Sequence, residues 1–241
     1  MPTAIVTGGS TGIGRAICLA FAAEGYDVVV NARTDTSGGL DTLESVKDLG
    51  RVDSYFVQSD VSTVAGAHAL FRDVSDPKIL VNCAGQNLRL PLGGWSEEAW
   101  DELLDNNLRS AAFASQEFLR SVGSAEAVIV NLGSIRGLEN RGTTDSAVYS
   151  AAKAGVSSLT ASLARALAPR VRVNCVIPGY VRTAYLDGVQ PQQVKKWLEG
   201  VPIGRLIEPA EIADAVLFLA SNRAVTGVNM IIDGGWSLTI K

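Results

Sequence analysis

The stretch Thr7-Gly8-Gly9-Ser10-Thr11-Gly12-Ile13-Gly14 lies directly after the apolar run Ala4-Ile5-Val6 and opens a segment, Ile13 to Ala23, in which apolar residues recur at helical spacing. Strand, glycine-rich turn and helix in that order can hold a pyrophosphate. The glycines let the backbone turn tightly and approach the phosphates, which then meet the free N–H groups at the start of the helix. The spacing is Gly-x3-Gly-x-Gly rather than G-x-G-x-x-G. Gly8, Ser10, Thr11, Gly12, Ile13 and Gly14 are the candidate nucleotide contacts. The same residues spell G-x-S-x-G from Gly8 to Gly12, the turn that presents a hydrolase nucleophile, which would be Ser10. That reading needs a histidine partner. The chain's single histidine, His68, sits between Ala67 and Ala69 in an apparent helix, and the hydrolase turn leaves Gly14 without a purpose, so the nucleotide loop is preferred.

Outward from this turn, short β-branched runs alternate with helical stretches. The runs are Ala4-Ile5-Val6, Val28-Val29-Val30, Tyr55-Phe56-Val57, Ile79-Leu80-Val81, Val128-Ile129-Val130, Val171-Arg172-Val173 and Met230-Ile231-Ile232. Helical spacing marks Ile13 to Ala23, Glu97 to Leu119, Ser146 to Leu167 and Pro209 to Leu219. The alternation predicts an α/β fold: one doubly wound sheet of seven mainly parallel strands with helices on both faces. A single domain over 1–241 is expected, with no linker, repeat or low-complexity tract. The least regular stretch, Gly179 to Gly204, follows a predicted strand end, where such sheets bind ligands. Residues 183–204 are therefore a candidate substrate lid.

Composition excludes several function classes. The 21 Lys+Arg against 25 Asp+Glu offer no broad cationic surface for nucleic acid. No apolar stretch approaches the roughly 18 residues a membrane span needs, and Met1 to Val6 has no basic leader, so a cytoplasmic protein is expected. Cys18, Cys83 and Cys175 stand far apart without ligand spacing, which reads as reduced thiols with no disulfide and no metal site.

The dinucleotide's identity is read at the end of the second run, Val30-Asn31-Ala32-Arg33-Thr34. An acidic side chain there would bond a ribose 2′-hydroxyl. Arg33 instead suits a 2′-phosphate, so NADP is favoured over NAD, with Asp35 the residue that would serve the ribose in the alternative. Tyr149 and Lys153 stand four apart in a helical stretch and so share a face. A nearby ammonium stabilises phenolate and would lower the tyrosine's pKa toward working pH, making Tyr149 a proton donor to a forming alkoxide. The overlapping Ser150-Ala151-Ala152-Lys153 matches a Ser/Lys acyl-enzyme pattern, but the S-D-N and K-T-G that should accompany it are missing.

Thr7-Gly8-x3-Gly12-x-Gly14, Asp60-Val61, Asn82-Cys83-Ala84-Gly85, Asn107-Leu108, Ser134, Tyr149-x3-Lys153 and Pro178-Gly179 occur in that order, followed by Pro202-Ile203-Gly204-Arg205, Glu211-Ile212-Ala213, Thr226-Gly227 and Asp233-Gly234-Gly235. On these motifs the chain resembles a short-chain dehydrogenase/reductase over essentially its full length, with the Rossmann-type sheet of that family. The resemblance implies that Tyr149 is the acid/base, that Lys153 lowers its pKa and holds the nicotinamide ribose, that Ser134 bonds the substrate oxygen, and that Asn107 anchors a water chain to Lys153. It further implies that Asp60 and Val61 hold the adenine, that Asn82, Ala84 and Gly85 lie along the cofactor, and that Ile177 to Thr183 pack on the carboxamide side, with Pro178, Gly179, Val181 and Thr183 as the cofactor contacts. Asn82 and Asn107 could instead satisfy buried backbone groups. Two departures stand out: Cys83 replaces a second asparagine, and fifteen residues separate Ser134 from Tyr149, which enlarges the loop Gly137 to Asp145.

In length and lid the chain resembles 3-oxoacyl-[acyl-carrier-protein] reductases. However, Ser121-Val122-Gly123-Ser124-Ala125-Glu126 lacks the Lys/Arg cluster expected for docking an acidic carrier. A free small carbonyl or alcohol is therefore the expected substrate, with the carrier-bound thioester, or a sugar or polyol oxidised with NAD, as alternatives. Gln86, Arg136, Asn140 and Tyr185 are the candidate substrate contacts, with Arg89, Trp95 and Trp197 considered beside them. The resemblance also implies a homotetramer. Ala147, Ala151, Ala154, Ser158 and Ala161 would allow close helix packing between subunits, or else pack inside one subunit.

Overall fold

In a computed structural model, which describes residues 1–238, the β-branched runs form seven parallel strands in the order β3-β2-β1-β4-β5-β6-β7. They are β1 (Thr3–Thr7), β2 (Asp27–Ala32), β3 (Tyr55–Gln58), β4 (Pro77–Asn82), β5 (Ala127–Leu132), β6 (Val171–Pro178) and β7 (Asn229–Ile232). The helices are α1 (Gly12–Ala23), α2 (Thr36–Asp48), α3 (Val64–Phe71), α4 (Glu97–Leu104), α5 (Ser110–Val122), α6 (Ala147–Leu167), α7 (Pro191–Leu198) and α8 (Pro209–Ser221). The last three residues of the domain expected over 1–241 lie outside the described residues.

Alternation along each strand divides the core between two faces. Ala4, Val6, Val28, Val30, Val81 and Val130 pack with Ile17 and Phe21 of α1 and Ile212, Val216 and Leu219 of α8. Ile5, Val29, Leu80, Ile129 and Val173 point the other way, onto Leu70 and Phe71 of α3, Phe118 of α5 and Ala164 of α6. Because both faces are covered, the strands read as continuous apolar runs. Burying one such side chain is worth about 1.5–3 kcal/mol, so the two layers dominate the stabilising side of folding.

Two expectations change. The single helix predicted from Glu97 to Leu119 is interrupted: α4 and α5 are joined by a π-helical turn, Asp105–Arg109. Asn107 Nδ2 donates to the Leu103 carbonyl at 2.9 Å, the acceptor an α-helical Asn107 N–H would use, so the ladder widens there. The irregular stretch Gly179 to Gly204 also contains regular structure. A 3₁₀ turn, Ala184–Gly188, precedes α7, which starts on Pro191, the residue whose missing N–H costs a helix nothing in its first turn. Among the described residues no helix is long and apolar enough to cross a membrane, and no cluster of His, Cys, Asp or Glu could hold a metal ion.

Candidate active site

The turn after β1 folds as its glycines require. Gly8 has φ +66°, and a Cβ on it would lie 2.9 Å from the Ala84 Cα, so the loop after β4 comes into backbone contact with the turn. Thr7 Oγ1 fixes that approach by accepting from the Cys83 and Ala84 N–H groups, both at 3.1 Å. A Cβ on Gly14 would collide with the Gly8 carbonyl, so α1 can begin this close to the turn only with glycine there. The N-cap of α1, Thr11, makes no side-chain cap bond, and the first turn of α1 carries no acid, which leaves its N–H groups and dipole available to an anion. Thr183 Cγ2 lies 3.1 Å from where a Cβ on Gly12 would stand, so the segment after β6 closes over this turn.

Between these walls, at the carboxyl ends of the strands, lies a cleft of about 770 Å³. Ser134, Tyr149 and Lys153 line it together, with Ile13, Gly85, Asn107, Pro178, Gly179, Val181 and Thr183 around them. Ser134 follows β5 and caps a 3₁₀ turn, Ile135–Gly137, its Oγ accepting from the Arg136 N–H at 3.2 Å. Tyr149 and Lys153 lie on the first turns of α6. Lys153 is 5% exposed and donates from Nζ to the Leu132 carbonyl at 2.9 Å. Asn107 Nδ2 donates to the Gln86 carbonyl at 2.7 Å, which leaves Asn107 Oδ1 buried and unpartnered. A Cβ on Gly85 would lie 2.6 Å from that oxygen and 3.2 Å from Lys153 Nζ, so both polar atoms converge on the one point where a side chain is missing.

The electrostatics differ from the sequence expectation at one residue. Lys153 Nζ stands 5.9 Å from the Tyr149 ring centre, with its ammonium bonded elsewhere. Burial raises the Tyr149 pKa above the ordinary value of 10.0, and the Ser134 hydroxyl and the Arg136 charge offset only part of this. Lys153 therefore does not lower the tyrosine here. Burial lowers the pKa of Lys153 itself, against the opposing influence of the Cys83 and Cys175 thiols. The thiols are pushed up to about 11, so they are neutral at pH 7.

The remaining candidates divide. Arg33 is exposed just past β2 and approaches Glu102 only at 3.6 Å, while Asp35, the alternative ribose ligand, caps α2 by accepting from the Gly38 N–H at 3.0 Å. Asp60 Oδ1 accepts from the Ser62 N–H and hydroxyl at 3.0 and 2.7 Å, and Val61 is buried in the core. The Asn82 side chain turns away from the cleft, donating to Asn131 Oδ1 at 2.8 Å and Ser115 Oγ at 3.0 Å, because β4, β5 and α5 bring three polar side chains together in the interior. Gln86, Arg136 and Tyr185 line the cleft, with Arg89 and Trp197. Asn140 does not: it is exposed with φ +59° and forms the left-handed corner of the enlarged loop. Trp95 packs on Trp100 and donates to the Leu90 carbonyl outside the cleft. Ser10 lies in the turn before α1 and His68 on α3, two helices that cover opposite faces of the sheet, and His68 pairs with Glu117, so the hydrolase arrangement is absent. The sequence reading did not foresee that Tyr180 and Trp236 flank Arg136. Tyr180 follows the Pro178-Gly179 motif and was findable, whereas Trp236 comes from the far end of the described chain and nothing local marks it.

Comparison with known proteins bears on this geometry. A family model described as enoyl-(acyl carrier protein) reductase matches residues 8–237. The 3-oxoacyl-[acyl-carrier-protein] reductase of Staphylococcus aureus (strain Mu50) is 35% identical over 244 residues, covering 97% of both chains. Among solved structures, one assigned as a 2-deoxy-D-gluconate 3-dehydrogenase from Agrobacterium tumefaciens with bound NADP superposes with a TM-score of 0.89 at 32% identity, covering 99% of this chain and 97% of that one. One assigned as a short-chain alcohol dehydrogenase from Sinorhizobium meliloti superposes with a TM-score of 0.92 at 31% identity, with the same coverage of each chain. A glycine-rich turn backed against the strand-end cleft, a family model matching residues 8–237 and near full-length relatives give one conclusion: the chain is an oxidoreductase of the short-chain dehydrogenase/reductase family.

Proposed function

We propose that this chain interconverts a carbonyl and an alcohol on a small molecule using NADP(H), with Tyr149 as the general acid and base. The observation that carries this is the convergence of Ser134, Tyr149 and Lys153 in one cleft walled by the turn Gly8 to Gly14. The uncapped N-terminus of α1 fits a pyrophosphate, and Arg33, beside an Asp35 already committed to α2, fits a 2′-phosphate better than a bare ribose. Bound there, NADPH supplies the hydride. Tyr149 stays protonated at neutral pH because burial raises its pKa, so its hydroxyl donates the proton to the developing alkoxide, with the Ser134 hydroxyl as a second donor to the same oxygen. Lys153 Nζ, held by the Leu132 carbonyl, keeps protons free to position a ribose, and the unpartnered Asn107 Oδ1 beside Gly85 suits an ordered water linking it to Lys153.

A second reading, reduction of a carrier-bound 3-oxoacyl thioester, is favoured by the names of the relatives. The free substrate stands above it because Ser121 to Glu126 offers no basic patch, and Arg120 nearby is already paired with Glu117. The exposed row Ala147, Ala151, Ala154, Ser158 and Ala161 on α6 supports a homo-oligomer, a tetramer on the family's pattern. The test is a fluorescence titration with NADPH and NADH followed by a ketone and alcohol panel. Tight NADPH binding and NADPH-dependent ketone reduction are expected. The Tyr149→Phe variant should bind NADPH but lose turnover by about 10²–10⁴-fold, the contribution of one positioned acid. Retained turnover in that variant would overturn the assignment.

A further inference from the structure

The guanidinium of Arg136 lines the cleft two residues after Ser134, and its charge is felt at the Tyr149 hydroxyl. Its surroundings are unusual for a half-buried cation. Among the described residues no carboxylate lies within ion-pair distance of it, although the other arginine lining the cleft, Arg89, approaches Asp145 at 3.8 Å. Asp145, the only acidic residue on the cleft wall among the described residues, is further engaged by the Thr143 hydroxyl at 2.8 Å. Arg136 is nevertheless held firmly. The guanidinium carbon stands 5.7 Å from the Tyr180 ring centre and 5.3 Å from that of Trp236, with Nη2 donating to the Tyr180 hydroxyl at 2.8 Å and Nη1 to the Arg141 carbonyl at 3.3 Å. Trp197 of α7 stacks on Tyr180 with ring centres 5.0 Å apart, so the candidate lid backs the same assembly.

A purely structural pin would use the donors it needs and leave the charge to a neighbouring acid. Here two of the five N–H groups of a guanidinium are used, and the fork that remains has no anion among the described residues. Aromatic rings and a carbonyl fix the plane of the group without neutralising it, so a planar anion can bind with little rotamer entropy left to lose.

We propose that Arg136 binds a carboxylate of the substrate, so that the substrate is an oxo acid or hydroxy acid whose reacting carbon faces Ser134 and Tyr149 while its carboxylate lies on this guanidinium. The inference rests on the oxidoreductase reading above and narrows it from any small carbonyl to an anionic one. A carboxylate is preferred to a phosphate monoester because a dianion calls for more than one unpaired cation, and the second arginine of the cleft already has a carboxylate near it.

Two measurements test this. The first is NADPH-dependent reduction of acetoacetate and 4-oxopentanoate against their methyl esters, with dihydroxyacetone phosphate against dihydroxyacetone as the phosphate arm. The second is direct calorimetric titration of 4-oxopentanoate and its ester, which needs no turnover. The acids should exceed their esters in kcat/KM. The Arg136→Met variant should cut that ratio by about 10- to 100-fold, mainly through KM, the loss expected of a charge-assisted bond, while still binding NADPH. Arg136→Lys should recover part of it. Esters used as well as acids, or an acid-to-ester ratio unchanged in Arg136→Met, would overturn the proposal. So would a preference confined to the phosphate ester. If NADPH binds and no ketone is reduced, the oxidoreductase reading fails separately, and the titration still decides the anion site: acid binding lost in Arg136→Met supports it, and no acid binding to the parent protein refutes it.

Discussion

At the scale of single residues, the proposed role of Tyr149 predicts a pH behaviour. Its phenol is raised above 10.0 by burial, so the protonated donor is fully populated through the neutral range and is lost only as pH rises through that raised value. Carbonyl reduction should be flat from near neutrality upward, with an alkaline limb above the ordinary tyrosine range. Alcohol oxidation, which needs the phenolate as base, should rise over the same limb. Full pH profiles of kcat/KM in both directions check this; a reduction limb near pH 7 would show that bound cofactor resets the tyrosine. Arg33 is the residue on which the proposed NADP preference rests. It is exposed and only loosely approached by Glu102, so its removal costs little internal structure. Arg33→Ala should weaken NADPH binding by about 10- to 100-fold, the worth of a charge-assisted phosphate bond of roughly 1.5–3 kcal/mol, and leave NADH binding nearly unchanged, as paired titrations would read directly.

At the scale of elements, the break between α4 and α5 is what delivers Asn107. An uninterrupted helix from Glu97 onward would keep the Leu103 carbonyl for the backbone. The π-helical turn instead lets the Asn107 amide take that carbonyl and turn Oδ1 toward Gly85 and Lys153. Gly85 is the matching requirement on the loop after β4. Gly85→Ala would place a methyl 2.6 Å from Asn107 Oδ1 and 3.2 Å from Lys153 Nζ, displacing any water between them. Turnover should drop by more than about tenfold, with a stability loss of about 1–3 kcal/mol from overpacking. Thermal melts beside kcat measurements separate the two effects. Apolar periodicity cannot reveal this break, because Leu104 and Leu108 stand four apart across it, as in an unbroken helix, and the cause is a side-chain hydrogen bond.

At the scale of the whole molecule, α6 faces two ways. Val148, Ala152, Val156, Thr160 and Ala164 are buried, while Ala147, Ala151, Ala154, Ser158 and Ala161 form an exposed row of small side chains. The sequence left open whether these small residues pack inside one subunit, and their exposure excludes that. Ser158→Arg in the middle of the row should dissociate the proposed oligomer, and light scattering on the purified variant would show the lower mass; an unchanged mass would place the interface elsewhere.

The alternation of β-branched runs and helices determined the sheet, its parallel sense and the end at which the cleft lies, because strand burial on two faces and right-handed crossovers leave few other solutions. The glycine turn and the Tyr149–Lys153 pair were legible because their chemistry depends on local spacing. What only the tertiary structure decided comes from groups distant in sequence. Burial raises the Tyr149 pKa against the Ser134 hydroxyl and the Arg136 charge, Asn82 turns into an interior network with Asn131, Asn140 makes a corner rather than a contact, and Tyr180 and Trp236 close on Arg136. Desolvation, long-range hydrogen bonds and ring contacts depend on which elements the fold brings together, and no window of sequence contains both partners.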